Sequence, residues 1–429
     1  MTCTLSEFTE LAARIHAFIA SVGAETGVGK GGEVAAAARE GEFNILALEL
    51  FALQVRHNAA LREWLGARAG AASRLRDWRE IPAAPVAAFK ELELTALPAE
   101  ARTTVFHSSG TTGQKPSRHF HHAESLRLYE ASLRPWFWRH LWPEGAGGRG
   151  PVALRQIILT PSPAQVPHSS LVHMFATIAF APDDAEKRPL AHGEVWSSAF
   201  RRQTLRQPGT LDLSTVGAAS GPPPEGGTPN GKFFGTVGTD GAWCVDFAAV
   251  LAELRAAAAS GAPVMLLGTA FSFVHLLDHL AAGEIRVALP AGSRVLETGG
   301  YKGRSRTLPK GELHAEITRR LGVPTSHIVC EYGMSELSSQ AYDTAVPAQA
   351  GRARRFHFPP WARAVVVSPE TGAEVGEGET GLLRIYDLAN VWSALAVQTE
   401  DLGVRRGDGF ELLGRAAEAE PRGCSRMTA

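Results

Sequence analysis

The sequence predicts an α/β chain, with parallel-sheet αβα subdomains followed by a small β-rich subdomain and a short C-terminal tail. Two observations carry this. Strand-like runs at Gln156–Thr160, Lys232–Val237, Val264–Leu267 and Ser293–Glu297 alternate with helical segments at 169–179, 246–258 and 271–281, the pattern of a parallel sheet. From about Arg354 the texture changes to short strands, Ala364–Val367 and Gly381–Tyr386, with turn residues between them. The expected divisions are a helical region over 1–77, an α/β core over 78–353, a β-rich subdomain over 354–415 and a flexible tail over 416–429.

Taken in order, residues 5–20 and 40–67 show helical periodicity, with Phe43, Leu46, Leu50, Leu53 and Leu61 at near-helical intervals. The Gly-rich piece Gly23–Gly32 separates them as a loop. Between Trp78 and Lys90, Pro82 and Pro85 forbid a long helix and predict a rigid extended connector. His122–Leu141 reads as a helix whose Trp136, Phe137 and Trp138 belong to a core. The run Gly221–Gly231, rich in Pro and Gly, predicts a loop or partial disorder.

Composition excludes several classes. With 429 residues, 45% hydrophobic and 20% charged, the chain can bury a large core, and a net charge of -1 gives no electrostatic footprint for nucleic acid or a membrane surface. Met1–Glu10 lacks the apolar core of a signal peptide, and no run approaches a membrane span. Four cysteines at 3, 244, 330 and 424 have no paired metal-ligand spacing, which suggests a reducing cytoplasm. Cys244 and Cys330 read as buried small apolar residues.

Chemistry concentrates in four stretches. In Val105–Pro116 an apolar lead-in reads as a strand and runs into Ser108-Ser109-Gly110-Thr111-Thr112-Gly113, with Lys115 beyond. Glycines let the backbone approach an anion, hydroxyls donate without charge and the lysine adds a cation, so the stretch suits a phosphate. The spacing is not that of a Walker A loop, and a Ser/Thr/Gly surface turn is the alternative reading. Glu297-Thr298-Gly299-Gly300-Tyr301-Lys302 places glycines directly after a strand, where doubly wound sheets hold ligands, although taken alone the stretch reads as an ordinary strand-to-loop turn. Ile328–Glu336 runs from a strand into a turn offering Tyr332, Gly333, Ser335 and Glu336: a ring to stack on a base and a carboxylate to hold a magnesium ion on phosphates. Gln398–Gly403 puts Asp401 in a turn, followed by Gly414-Arg415, and an acidic side chain there suits ribose hydroxyls. His119, His121 and His122 sit at a loop-to-helix junction without a partner cysteine or spaced acid, which favours solvated or capping roles over a metal.

In this order the four stretches resemble the adenylate-forming superfamily. Ile81–Lys90, Pro167–Ser170, Glu297–Gly303 and Arg422-Gly423-Cys424-Ser425 further resemble its acyl-protein synthetase (LuxE-like) branch, from about residue 78 onward. The resemblance implies ATP and Mg2+ as cofactors. It puts Ser108, Ser109, Gly110, Thr111, Thr112, Gly113 and Lys115 around the triphosphate, and Thr298, Gly299, Gly300, Tyr332, Gly333 and Ser335 about the adenine turns. It also puts Glu336 on magnesium, Asp401 on the ribose and Arg415 on the ribose or hinge.

One departure stands out. The superfamily follows its Gly-Arg with a C-terminal domain carrying a catalytic lysine, where this sequence has fourteen residues; Lys302 is the candidate replacement. A carboxylate must be activated before acyl transfer, and ATP does this by forming an acyl-adenylate with loss of pyrophosphate. By the resemblance Cys424 then receives the acyl group as a thioester. It is nine residues past Arg415, a reach of about 30 Å at full extension, and Arg422 and Arg426 favour its thiolate. The alternative for Cys424 is an unremarkable thiol in a frayed tail. His168 could face the reacting carboxylate or be a satisfied buried histidine. Phe175, Phe234 and Phe271 are candidates for an acyl pocket. The expected substrate is a carboxylic, fatty acid, and the expected partner an acyl-CoA-reductase-like or acyl-carrier protein. The alternatives are an acyl- or aryl-CoA ligase of the phenylacetate type and a non-catalytic ATP-binding scaffold.

Overall fold

The computed structural model describes residues 2–23, 32–108, 115–144, 154–179, 231–239, 241–299, 308–348, 351 and 353–416. The chain begins with α1 (Thr2–Gly23), α2 (Gly32–His57) and α3 (Ala59–Leu65), the last capped by Asn58, whose side chain accepts from Leu61 N. The proline-punctuated connector contains a 3-10 turn at Trp78–Glu80, a two-residue strand β1 (Ala84–Pro85) and one helical turn α4 (Ala88–Glu91). β2 (Thr104–His107) and β3 (Arg118–His121) form an antiparallel hairpin, and α5 (Ala123–Leu141) follows at once.

Next come β4 (Arg155–Ile158), α6 (Ser170–Ala179), β5 (Gly231–Phe233), β6 (Gly235–Val237), β7 (Trp243–Val245), α7 (Phe247–Ser260), β8 (Val264–Thr269) and α8 (Ala270–Ala282). β9 (Arg294–Thr298), α9 (Lys310–Leu321), β10 (Ile328–Tyr332) and β11 (Ala341–Tyr342) complete this part. α7 shows how local sequence sets the bounds: Asp246 caps its start by accepting from Ala249 N, and Gly261 ends it at φ 68°.

The six-stranded sheet runs β11-β10-β9-β8-β4-β5, parallel except for β11. Successive residues point to opposite faces. Ile157, Leu266, Val295 and Ile328 join one core with α7, α8 and α9, while Ile158, Leu267, Leu296 and Val329 join another with α5 and α6. The expected αβα layering is therefore present. Phe137 and Trp138 are buried in the second core.

The strand read over Lys232–Val237 is two strands. β5 pairs with β4, whereas β6 leaves to pair with β7. Gly235 marks the break, because a Cβ there would collide with the Thr160–Pro161 backbone. Phe175 and Phe271 fall in different cores on opposite faces of the sheet, so they do not line one acyl pocket.

The last part is antiparallel: β12 (Ala362–Val367), β13 (Thr380–Asp387), β14 (Ala396–Arg406) and β15 (Gly409–Arg415), with β1 added in parallel along β14. One hydrophobic cluster joins its inner side to α1, α2 and the connector. Gln54 of α2 donates to Asn390 O (2.8 Å) and Val391 O (3.0 Å) and accepts from Leu395 N (3.0 Å). Among the described residues no helix is long and apolar enough to cross a membrane.

Candidate nucleotide-binding site

The hairpin brings the two ends of the Ser/Thr/Gly loop together. Ser108 N donates to Ser117 O (3.2 Å) and Ser117 N to Ser108 Oγ (2.9 Å), so the loop is closed at its base by a two-way clamp. Lys115 pairs with Glu91 at 2.9 Å on the surface. Ser109, Gly110, Thr111, Thr112 and Gly113 lie outside the described residues, as do Gly300, Lys302 and Cys424.

The turn after β10 is fastened to this hairpin. Ser335 Oγ donates to His107 O (3.1 Å), and His119 Nδ1 meets Ser335 O at 2.9 Å. His168 is exposed; its Nδ1 meets Val105 O at 3.0 Å and its ring stacks on His107. His119 and His121 are buried, not solvated as the sequence suggested; burial pushes His119 down to about 4 and His121 well below its ordinary value. His122 does cap α5, in a reciprocal pair with Ser125. Among the described residues no cluster of His, Cys, Asp or Glu is arranged to hold a metal on its own.

Register places Cys330 opposite Glu297 and Glu331 opposite Thr298, so side-chain alternation sorts the ends of β9 and β10 into two faces. On the first, α9 supplies Lys310 and His314. Lys310 Nζ is 2.8 Å from Cys330 Sγ and 4.0 Å from Glu297 Oε1, and His314 Nε2 is 3.3 Å from the same oxygen. Cys330 is buried in the hydrophobic core as its sequence reading expected, with the Lys310 ammonium against its sulfur as the one addition, and burial pushes its thiol well up. Burial alone would raise the Glu297 carboxyl, but His314 and Lys310 outweigh it and hold the carboxyl below its ordinary value. Cys244, also expected buried, is exposed, because it points outward from the middle of β7.

On the second face Thr298 Oγ1 donates to Glu331 Oε2. Glu331 is 5% exposed, and burial, with Glu297 adding like charge, raises its carboxyl to about 7 although Thr298 acts the other way. Gly299 follows at φ 76°, and a Cβ on Gly333 would collide with Glu331 Oε1. Both turns therefore need glycine, one for its backbone and one for its lack of a side chain.

Tyr332 Oη donates to Asp401 Oδ2 (2.8 Å), and its ring meets Phe356, Phe358 and Phe410. Asp401 lies inside β14, not in the turn that its Thr-Glu-Asp-Leu-Gly context suggested. β13 pairs β14 before and after it across a register shift that leaves residues 399–401 as a bulge, while β15 pairs Asp401 directly. That pairing sets Asp401 opposite Arg415, whose Nε is 3.6 Å from Asp401 Oδ1 and whose Nη2 bonds Glu400.

Glu336 is fully buried, its backbone carbonyl accepting from Asn390 Nδ2 (2.9 Å). Just beyond it, Asp387 accepts from Ser338 N (2.9 Å), Ser339 N (2.8 Å) and Ser339 Oγ (2.7 Å). This network anchors the turn to β13. Asp387, Asn390, Glu331, Lys310 and His314 were not singled out from the sequence. The available signal was that Glu331 immediately precedes the motif tyrosine, and that Lys310 and His314 are one helical turn apart.

The Tyr332, Gly333 and Glu336 turn, the Thr298 and Gly299 turn, and the Asp401–Arg415 pair come from three separate stretches of sequence. All end at the C-terminal edge of β9 and β10 or in contact with it, where α/β sheets bind ligands. Residues 230–429 match the family model described as acyl-protein synthetase, LuxE. The superfamily resemblance read from the motifs is thereby supported, the family match itself covering the C-terminal part of the chain.

The fold is that of adenylate-forming ligases. A structure of 2-hydroxyisobutyryl-CoA ligase in the postadenylation state with 2-HIB-AMP superposes with a TM-score of 0.55 at 12% identity, covering 88% of this chain and 69% of that one. The same ligase in an open conformation with 2-HIB-AMP and CoA gives 0.53 at 11% identity, covering 86% and 74%. ATP-bound MatB from Rhodopseudomonas palustris gives 0.40 at 14%, covering 81% and 52%. The chain spans about half the length of the MatB structures it matches. No curated protein sequence matches it significantly.

Proposed function

We propose that the protein is an ATP-dependent acid–thiol ligase, which converts a carboxylic acid of the fatty-acid class to an acyl-adenylate and passes the acyl group to Cys424 as a thioester. The observation that carries this reading is the convergence of the two glycine turns with the Tyr332–Asp401–Arg415 chain, beside a hairpin that presents a hydroxyl-rich loop. Tyr332 and the Thr298–Gly299 turn would flank adenine, Asp401 and Arg415 the ribose, and the loop with Lys115 the phosphates. The donor chemistry suits magnesium as well: Glu336 would hold the ion together with substrate phosphate oxygens. When bound, the ion would offset charge on the phosphates as pyrophosphate leaves.

The chain's own residues do the positioning. Tyr332 and Arg415 fix the Asp401 carboxylate from two sides. The Ser335 links to His107 and His119 keep the carboxylate turn and the phosphate loop in one register. Lys302, next to the Gly299–Gly300 turn, would neutralise the α-phosphate, and His168 would border the acid. Cys424 would then attack the adenylate carbonyl as thiolate, releasing AMP, and a reductase-like or carrier protein in the cytoplasm would take the acyl group on.

Carboxylate-dependent exchange of pyrophosphate into ATP, tested across fatty and aromatic acids, is the decisive measurement, and its absence for every acid overturns the reading. Cys424→Ala should keep exchange and lose hydroxylamine-labile acyl labelling of the chain. Release of acyl-CoA independent of Cys424 would instead make it a CoA ligase, and tight ATP binding without exchange a scaffold.

A further inference from the structure

Glu331 has no place in the reading above, yet it touches both turns that would flank the base. Its Oε2 accepts from Thr298 Oγ1 at the end of β9, and its Oε1 occupies the space a side chain on Gly333 would need at the end of β10. The carboxyl is thus a bracket between two turns that come from different strands. Glu297 adds like charge from the opposite face of the strand pair, and the charge of the Glu331 carboxylate acts on Tyr129 of α5 and Tyr342 of β11, keeping both hydroxyls protonated. The Lys310 ammonium is engaged by Cys330 and Glu297 on the opposite face.

We propose that Glu331 is a positioning residue of the base pocket, working in its neutral form: protonated, it bridges the Thr298 and Gly333 turns and permits nucleotide to close over them. This rests on the nucleotide reading of the site. A base seated against these turns removes the remaining water from beside the carboxyl, and desolvation disfavours the charged form. Binding and protonation therefore favour each other. The free site holds this carboxyl near the middle of its titration at neutral pH, so affinity falls as pH rises from 6 to 8.

Adenosine is the suitable probe, because it lacks phosphates that titrate in this range. Its affinity for the full-length protein, measured by displacement of ATP, should weaken from pH 6 to pH 8 by about fivefold for a one-unit rise of the carboxyl pKa on binding. Glu331→Gln, isosteric and permanently neutral, should bind at pH 8 as the wild type binds at pH 6, with a flat profile. Glu331→Ala should bind weakly at every pH. Adenosine binding that is flat with pH in the wild type, or equally pH-dependent in Glu331→Gln, overturns the proposal while leaving the ligase reading intact. Failure of both ATP and adenosine to bind at any pH overturns the two together.

Discussion

Glu297 and Glu331 are both buried carboxyls at the ends of adjacent parallel strands, and they titrate in opposite directions. The difference lies in what packs on each face. α9 delivers Lys310 and His314 to Glu297, whereas Glu331 meets a hydroxyl and a glycine, with no cation bonded to it among the described residues. Burial penalises both equally in kind; a cation within reach decides the sign. The first face holds its carboxyl ionised against a cation, and the second raises its carboxyl toward neutrality where the ligand is expected.

The largest pH effect must be separated first. His119, His140 and His173 are each pushed down to about 4 by burial, against 6.5 when unfolded. Below 6.5 the unfolded chain binds protons that the native state refuses, so stability is lost from pH 6.5 down to about 4, on the order of 2 kcal/mol per histidine. Urea titrations across that range check it, and a flat response would mean that these rings are not neutral in the native protein.

Next in size is Lys310→Met, which leaves Glu297 buried without its cation and should cost about 2–4 kcal/mol at pH 7. The double variant with Glu297→Gln should recover much of that, whereas additive losses would show that the pair does not interact. On the other face the raised Glu331 carboxyl, near 7 against 4.5 unfolded, contributes stability that is complete below 4.5 and lost as pH rises through 7. Glu331→Gln should therefore gain on the wild type between pH 5 and 8, by on the order of 1–3 kcal/mol. The smallest effect is through-strand: Glu297→Gln removes the like charge and should lower the Glu331 midpoint, measured as the pH profile of adenosine affinity, by less than about one unit.

The parts of the site that sequence revealed are those whose chemistry is local. Glycines in the 299 and 333 turns announce themselves because the need for glycine arises within a few residues of each. The Glu331–Thr298 bracket and the Lys310–Glu297–Cys330 cluster depend on which strand lies beside which and on where α9 lands. No window of sequence contains that information. Asp401 and Gly235 fail in complementary ways: a turn-like composition is drawn into a strand as a bulge paired on one side by β15, and an unbroken apolar run is split by a backbone approaching from residue 160. The αβα layering was legible because burial on both faces leaves continuous apolar strands. The union of the N-terminal helices with the last sheet was not, since their shared core joins residues from opposite ends of the chain.

That union bears on the order in which the molecule can be made. The connector strand at Ala84 finds its partner at Val397, and the Gln54 side chain is satisfied by Leu395, a separation of 341 residues. During vectorial synthesis the helices leave the ribosome long before the strands that cover their apolar sides exist. They must wait, collapsed or chaperoned, until β13 and β14 have emerged. The strand that carries Asp401 is thus both the ribose wall of the proposed pocket and the cover on which the N-terminal helices wait, so the proposed nucleotide site cannot be complete before that strand is made.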